Sequence, residues 1–369
     1  METKRKVVAC GLALVAASAH AQSSLTLYGR FDDGIEYING LVNGAGGHTH
    51  RIRFESGDWG GSLFGLKGSE DIGGGVKVLF HLETIPNTAT GAVGVPGAFW
   101  SHFSTVGFSH EAYGTVTFGR MLTTINNSWD FDPFGQSAWS SFSLVRGRNV
   151  PVANNSIEYD SPRWFGFDAS GQYTLSNATN WNGNGSTGQG RADALQLTYT
   201  GALFQVRGIY DELRDPANGK LDDVFQYSRG YFGGVNVFLG SFKLSAVYQT
   251  FHADSAPVAN RGITTLRQAW GGVTWQVTPA ASVSAAAYHV NANNGGGNAT
   301  IYTLGGAYNL SKRTLLDMQV ATVHNSSTAN FGLSSNPAGP GGVSAVGEND
   351  NPGYGHSQTG VYVGMQHSF

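Results

Sequence analysis

Apolar and polar positions alternate in short runs along most of this chain. In Leu25-Thr-Leu-Tyr-Gly-Arg-Phe-Asp32, the residues Leu25, Leu27, Gly29 and Phe31 fall on one face, and Thr26, Tyr28, Arg30 and Asp32 on the other. Val76, Val78, Phe80 and Leu82 likewise oppose Lys77, His81 and Glu83. The same phase governs Leu195, Leu197 and Tyr199, then Gly271, Val273, Trp275 and Val277, and finally Val361, Val363, Met365 and Phe369. Period two marks a strand with one apolar face. No stretch stands out with helical periodicity, and no 20–50-residue repeat suggests a propeller or solenoid.

The connections follow a rule, with long polar loops alternating with tight turns. Long loops are expected at 39–61, 85–98, 122–155, 178–191, 212–222, 252–262, 291–299 and 325–355. Tight turns are expected at 71–75, 110–114, 164–165, 201, 233–234, 278–280 and 311–313. This partition predicts about 16 strands, an even number with both termini at one end. So large an antiparallel sheet with one apolar face must close or split into two packed sheets. In a bilayer only closure is open to it, because a free edge would leave backbone groups unpaired in lipid. The fold class predicted is all-β, a 16-stranded antiparallel transmembrane β-barrel with a long inward-folded third loop.

One connection departs from the rest. Residues 120–162 carry Trp129, Phe131, Phe134, Trp139 and Phe142. A loop far beyond the usual 4–6 residues or so is functional or disordered, and its aromatics argue against disorder. It reads as a loop packed back into the structure.

Composition supports lipid on one side and water on the other. Glycine contributes 53 of 369 residues, and only 13% are charged, against about 25% in ordinary soluble domains. Lys4-Arg5-Lys6, the apolar run 7–17 and Ala19-His20-Ala21 predict a signal peptide over 1–21 and a barrel over 22–369. Cys10, the single cysteine, falls in that signal, so no disulfide or thiol chemistry is expected. The acidic balance, −3 for the whole chain, excludes a basic nucleic-acid footprint.

Five segments in order resemble the general diffusion porins of Gram-negative outer membranes: Gln22-Ser-Ser-Leu-Thr-Leu-Tyr-Gly29; Phe64-Gly-Leu-Lys-Gly-Ser-Glu-Asp-Ile-Gly-Gly-Gly75; Gly114-Thr-Val-Thr-Phe-Gly-Arg120; Asn155-Ser-Ile-Glu-Tyr-Asp-Ser-Pro162; and Val363-Gly-Met-Gln-His-Ser-Phe369. The resemblance implies a passive, water-filled channel for small hydrophilic solutes and no enzymatic activity. It implies a homotrimer amid outer-membrane lipid and lipopolysaccharide. It also implies that Phe369 is the signal read by the barrel-assembly machinery.

Such porins set acidic residues on the inward loop against a basic ladder on the facing wall. The resemblance places Arg30 in that ladder and Asp130 and Asp132 on the loop. Relatives usually carry Arg where this chain has Leu63 and His102, and a basic residue near Glu158 or Asp160. The depleted ladder predicts weak cation preference. The alternative is a substrate-specific porin for a small anionic nutrient, using Arg30 with Arg146 or Arg148. Lys67, Lys77, His81 and Glu83 are expected to line the pore by strand phase. Arg120 shares parity with outward Val116 and Phe118. No cofactor is expected; Asp130 and Asp132 form too small a set for an oxygen-liganded metal, which needs about 6–8 ligands. The Asn154, Asn177 and Asn298 sequons read as polar-loop composition. A barrel hydrolase lacks a G-x-S-x-G motif, and a secreted β-sandwich adhesin is the soluble rival.

Overall fold

A computed structural model describes residues 23–43, 47–93, 97–135, 137–174, 190–334 and 350–369. The predicted signal peptide and most of the expected 178–191 loop, with Asn177, lie outside the described residues.

The strands are β1 Ser23–Val42, β2 His48–Ser56, β3 Leu63–Gly73, β4 Val76–Thr84, β5 Phe103–His110 and β6 Gly114–Leu122. After the long loop follow β7 Val152–Asp160, β8 Phe167–Thr174, β9 Ala192–Thr200, β10 Phe204–Leu213, β11 Arg229–Leu239 and β12 Phe242–His252. The last five are β13 Thr265–Gln276, β14 Ala281–Ala292, β15 Gly297–Asn309, β16 Thr314–Asn325 and β17 Gln358–Ser368. These form one antiparallel sheet, and β1 pairs with β17 to close it.

Seventeen segments occupy sixteen strand positions. β2 pairs with Asp33–Val42 of β1, and β3 pairs with Ser23–Arg30 on the same side. They are one wall strand interrupted by residues 57–62, which leave the ladder and fold into the lumen. Asp32 holds this excursion in place. Its carbonyl accepts from Gly57 N at 2.9 Å, and its carboxylate from Gly60 N at 3.0 Å.

Alternation sorts the wall as expected. Leu25, Leu27, Leu195, Leu197, Leu304 and Met318 are exposed on the outer face, where hydrocarbon replaces water. Tyr159, Trp164, Phe165, Phe167, Tyr199 and Phe204 gather at the short-turn rim, as in the aromatic girdle of outer-membrane barrels. Phe165, 98% exposed, sits at a turn tip with φ of 51°.

Three connections differ from the sequence expectation. β1 runs to Val42 and β2 begins at His48, so most of 39–61 is hairpin rather than loop. The expected long loop at 291–299 is a short turn between β14 and β15. Gly233 and Gly234 make no turn: they lie inside β11, and the chain reverses at 240–241. A glycine pair resembles a turn because glycine accepts turn geometry easily. Here the reason is close approach. A Cβ on Gly234 would stand 3.0 Å from Cδ1 of Phe131 in the long loop.

Candidate functional site

The long loop between β6 and β7 folds into the lumen and packs against one arc of the wall. It contains a 3-10 helix, Thr124–Phe131, and a short α-helix, Ser141–Leu144, capped by the Ser140 hydroxyl. Ile125, Phe131, Phe134, Trp139, Leu144 and Val145 are all buried, against Phe232, Trp270, Tyr288 and Tyr362 among the inward side chains of β11–β17. This is the principal apolar core, and the loop supplies six of its side chains.

Backbone close approach sets the loop's path. Cβ atoms on the inward glycines Gly272, Gly305 and Gly360 would lie 2.7 Å from Pro133, 2.9 Å from Phe134 and 2.6 Å from Trp139. With Gly234 under Phe131, alternate strands β11, β13, β15 and β17 each offer a side-chain-free spot to successive loop residues. Hydrogen bonds fix the register. Trp270 Nε1 donates to Phe131 O at 3.0 Å, Gln268 to Ser141 O at 2.8 Å, and Thr303 to Trp139 O at 2.8 Å.

The loop's charges are committed to the same task. Asp132 is 4% exposed. It accepts from the Tyr288 hydroxyl, from Phe134 N at 2.9 Å and from Ser141 N at 3.1 Å, while burial raises its pKa above the ordinary carboxylate value. Asp130 keeps more than half its surface but pairs with Arg207 at 2.5 Å, and its carbonyl accepts from Lys243 at 2.6 Å. Arg148 forms a fully buried ion pair with Asp211 at 2.6 Å. Arg146, pushed down to about 10 by burial, donates to Asn330 at 3.1 Å and lies over the Phe225 ring. Neither arginine converges with Arg30.

Opposite the loop, the lumen stays open along β1 and β3–β7. Arg30 donates from Nε to Gly61 O at 2.9 Å and lines a cavity of about 250 Å³ with Leu63 and His102. Asn126, Trp129 and Phe142 close its loop side. The 57–62 excursion narrows it further: Ala138 N donates to Asp58 O at 3.2 Å, and Trp59 meets Phe134 edge-on. The loop therefore meets this part of the lumen with an amide and aromatic rings rather than the two aspartates.

Below lies a wider cavity of about 460 Å³ lined by Lys67, His81 and Glu158 among others. Glu83 stands on β4 between His81 and His102. Glu158 accepts from Gln172 at 3.3 Å, and Asp160 from the Ser170 hydroxyl. Lys77 lies opposite Ser109, near the short turns. Arg120, opposite outward Ser104, donates to Ser101 O at 2.7 Å and to Asn154 at 2.5 Å. Phe369 exchanges backbone hydrogen bonds with Gly29 at 3.0 and 3.2 Å, and its ring stacks over that glycine, where a Cβ would lie 2.3 Å away.

Sequence reasoning missed Arg207, Lys243 and the glycine trail. The available signal was a change in pattern: Tyr231-Phe232, Val247-Tyr248 and Ile301-Tyr302 are apolar on both faces, the mark of a sheet covered on both sides.

Comparison with known proteins agrees with this architecture. The Gram-negative porin family matches residues 8–328. Outer membrane porin protein 32 of Delftia acidovorans is 29% identical, covering 99% of this chain and 100% of its own. An outer membrane porin protein of Bordetella pertussis is 27% identical over 85% of this chain and 92% of its own. Among solved structures, an anion-selective porin from Comamonas acidovorans shares the fold at a TM-score of 0.76 and 23% identity, covering 94% of this chain and 100% of that one. OmpT of Vibrio cholerae in trimer form matches at 0.66 and 13%, over 94% of this chain and 99% of that one. With a closed, girdled barrel and an inward third loop, this chain belongs to the Gram-negative porin family of the outer membrane.

Proposed function

We propose that the protein is a passive diffusion channel for small hydrophilic solutes with a mild preference for anions. The observation that carries this is the unequal lumen. The loop loads its weight and its aspartates onto β10–β17, and water keeps the arc that bears Arg30, Lys67 and Lys77. Charge rings and width, not a closed pocket, then set selectivity. The cation preference expected from Asp130 and Asp132 loses its carriers once one is buried and the other ion-paired. The solved anion-selective relative supports the opposite sign. A nutrient-specific site built from Arg30 with Arg146 or Arg148 lacks its second cation, because both loop arginines are buried.

The function is expressed as a trimer in the outer membrane, surrounded by lipid and lipopolysaccharide, after export and assembly through the strand that ends in Phe369. The experiment is reversal potential in a planar bilayer under a potassium chloride gradient. An anion-favouring potential that shrinks in Arg30→Gln supports the reading. A cation-favouring wild type removes the charge assignment, and folded barrels that pass no current remove the channel.

A further inference from the structure

The open wall brings four polar side chains to one point, from β1, β4 and the residue just before β5. Tyr28 donates its hydroxyl proton to Oε2 of Glu83 at 2.5 Å. His102 Nδ1 is hydrogen-bonded to the other oxygen of Glu83, and His81 Nε2 to the hydroxyl oxygen of Tyr28. These bonds fix the tautomers. A carboxylate only accepts, so His102 donates from Nδ1; Tyr28 has spent its one proton on Glu83, so His81 donates from Nε2. The remaining nitrogens, Nδ1 of His81 and Nε2 of His102, are where each ring takes a second proton. Phe103 stacks on His81 at 4.4 Å and holds it in place.

The two rings stand on the ion path. His102 lines the narrow cavity with Arg30, and His81 lines the wider one with Lys67 and Glu158. We infer that His81, Glu83 and His102 together determine the pore's charge selectivity, and that the two imidazoles reset it with pH. This rests on the channel reading above. With both rings neutral, Glu83 offsets part of the positive field of Arg30 at this wall. With both protonated, the same wall carries two further positive charges. Histidine makes this change between about pH 5 and 8.

The charged and titratable groups facing the cluster are Glu83 at its centre, Glu158 across the cavity, Arg30 on β1 and Lys67 on β3, whose ammonium lies 4.7 Å above the Tyr28 ring. Asp32 acts on Arg30 from β1.

The test is reversal potential under a salt gradient, measured from about pH 8.5 down to about pH 5.5, a range that brackets the histidine transition. For the wild type, anion-to-cation permeability should rise on the order of three-fold, the scale of added charge acting through a partly aqueous dielectric. In His81→Gln/His102→Gln, the side-chain amides can still donate to Tyr28 and Glu83 but do not titrate, so the ratio should stay nearly flat. His102→Gln alone should remove about half of the response, which keeps the test open should the double variant fail to assemble. A double variant that conducts with the full wild-type response overturns the inference. A wild type that passes no current fails at the channel reading itself, a result distinct from that one.

Discussion

The two arcs of this barrel are built to opposite specifications from the same alternating strands. Along β10–β17 the inward positions are Ile209, Phe232, Val247, Trp270, Tyr288, Ile301 and Tyr362, all buried under the loop. Along β1 and β3–β7 they are Arg30, Lys67, His81, Thr117 and Glu158, facing the open cavities or one another. The first arc is a packed interior, where volume and hydrogen-bond register decide stability. The second is a wetted surface, where charge decides what passes. Function and stability are thus largely separated around the circumference, and substitutions should divide the same way.

The sharpest break of that division is Arg148→Ala, which leaves Asp211 as an unpaired buried charge. It should cost about 3–5 kcal/mol, read as a large fall in unfolding temperature of the folded barrel. Next is Gly360→Ala, whose new Cβ would lie 2.6 Å from Trp139. Overpacking of this kind costs about 1–3 kcal/mol and should push the loop into the lumen, lowering single-channel conductance. Asp132→Asn places a donor against Ser141 N–H and should cost about 1–3 kcal/mol while leaving ion selectivity unmoved. A changed reversal potential in that variant would return Asp132 to the water-facing set. Arg30→Gln is the mirror case: losing its hydrogen bond to Gly61 should cost only about 0.5–1.5 kcal/mol, with a measurable loss of anion preference.

The sequence made strand phase, closure, the alternation of long and short connections and the inward loop legible. Each rests on local periodicity or on a physical limit of the bilayer. Individual contacts were harder to read. Asp130 and Asp132 stand two residues apart on the same loop, yet one reaches Arg207 and the other turns into Tyr288. Loop side-chain direction depends on partners 77 and 156 residues away, which no local pattern encodes. Gly233-Gly234 misled because close packing and chain reversal make the same demand for a missing side chain. Arg30, His81 and Glu83 were placed in the lumen because a strand fixes direction by parity alone.

The seam where β1 meets β17 has one further consequence. Asp32 and Gln366, bonded across it, are 334 residues apart, so the ring exists only when its two ends have found each other. Every earlier arrangement has two raw edges, and the entropy of closing so long a chain falls on the final step. Once shut, the ring has no end from which to fray. A cut in a single surface loop leaves every strand hydrogen-bonded to both neighbours, so a nicked barrel should hold together as one particle until it is denatured.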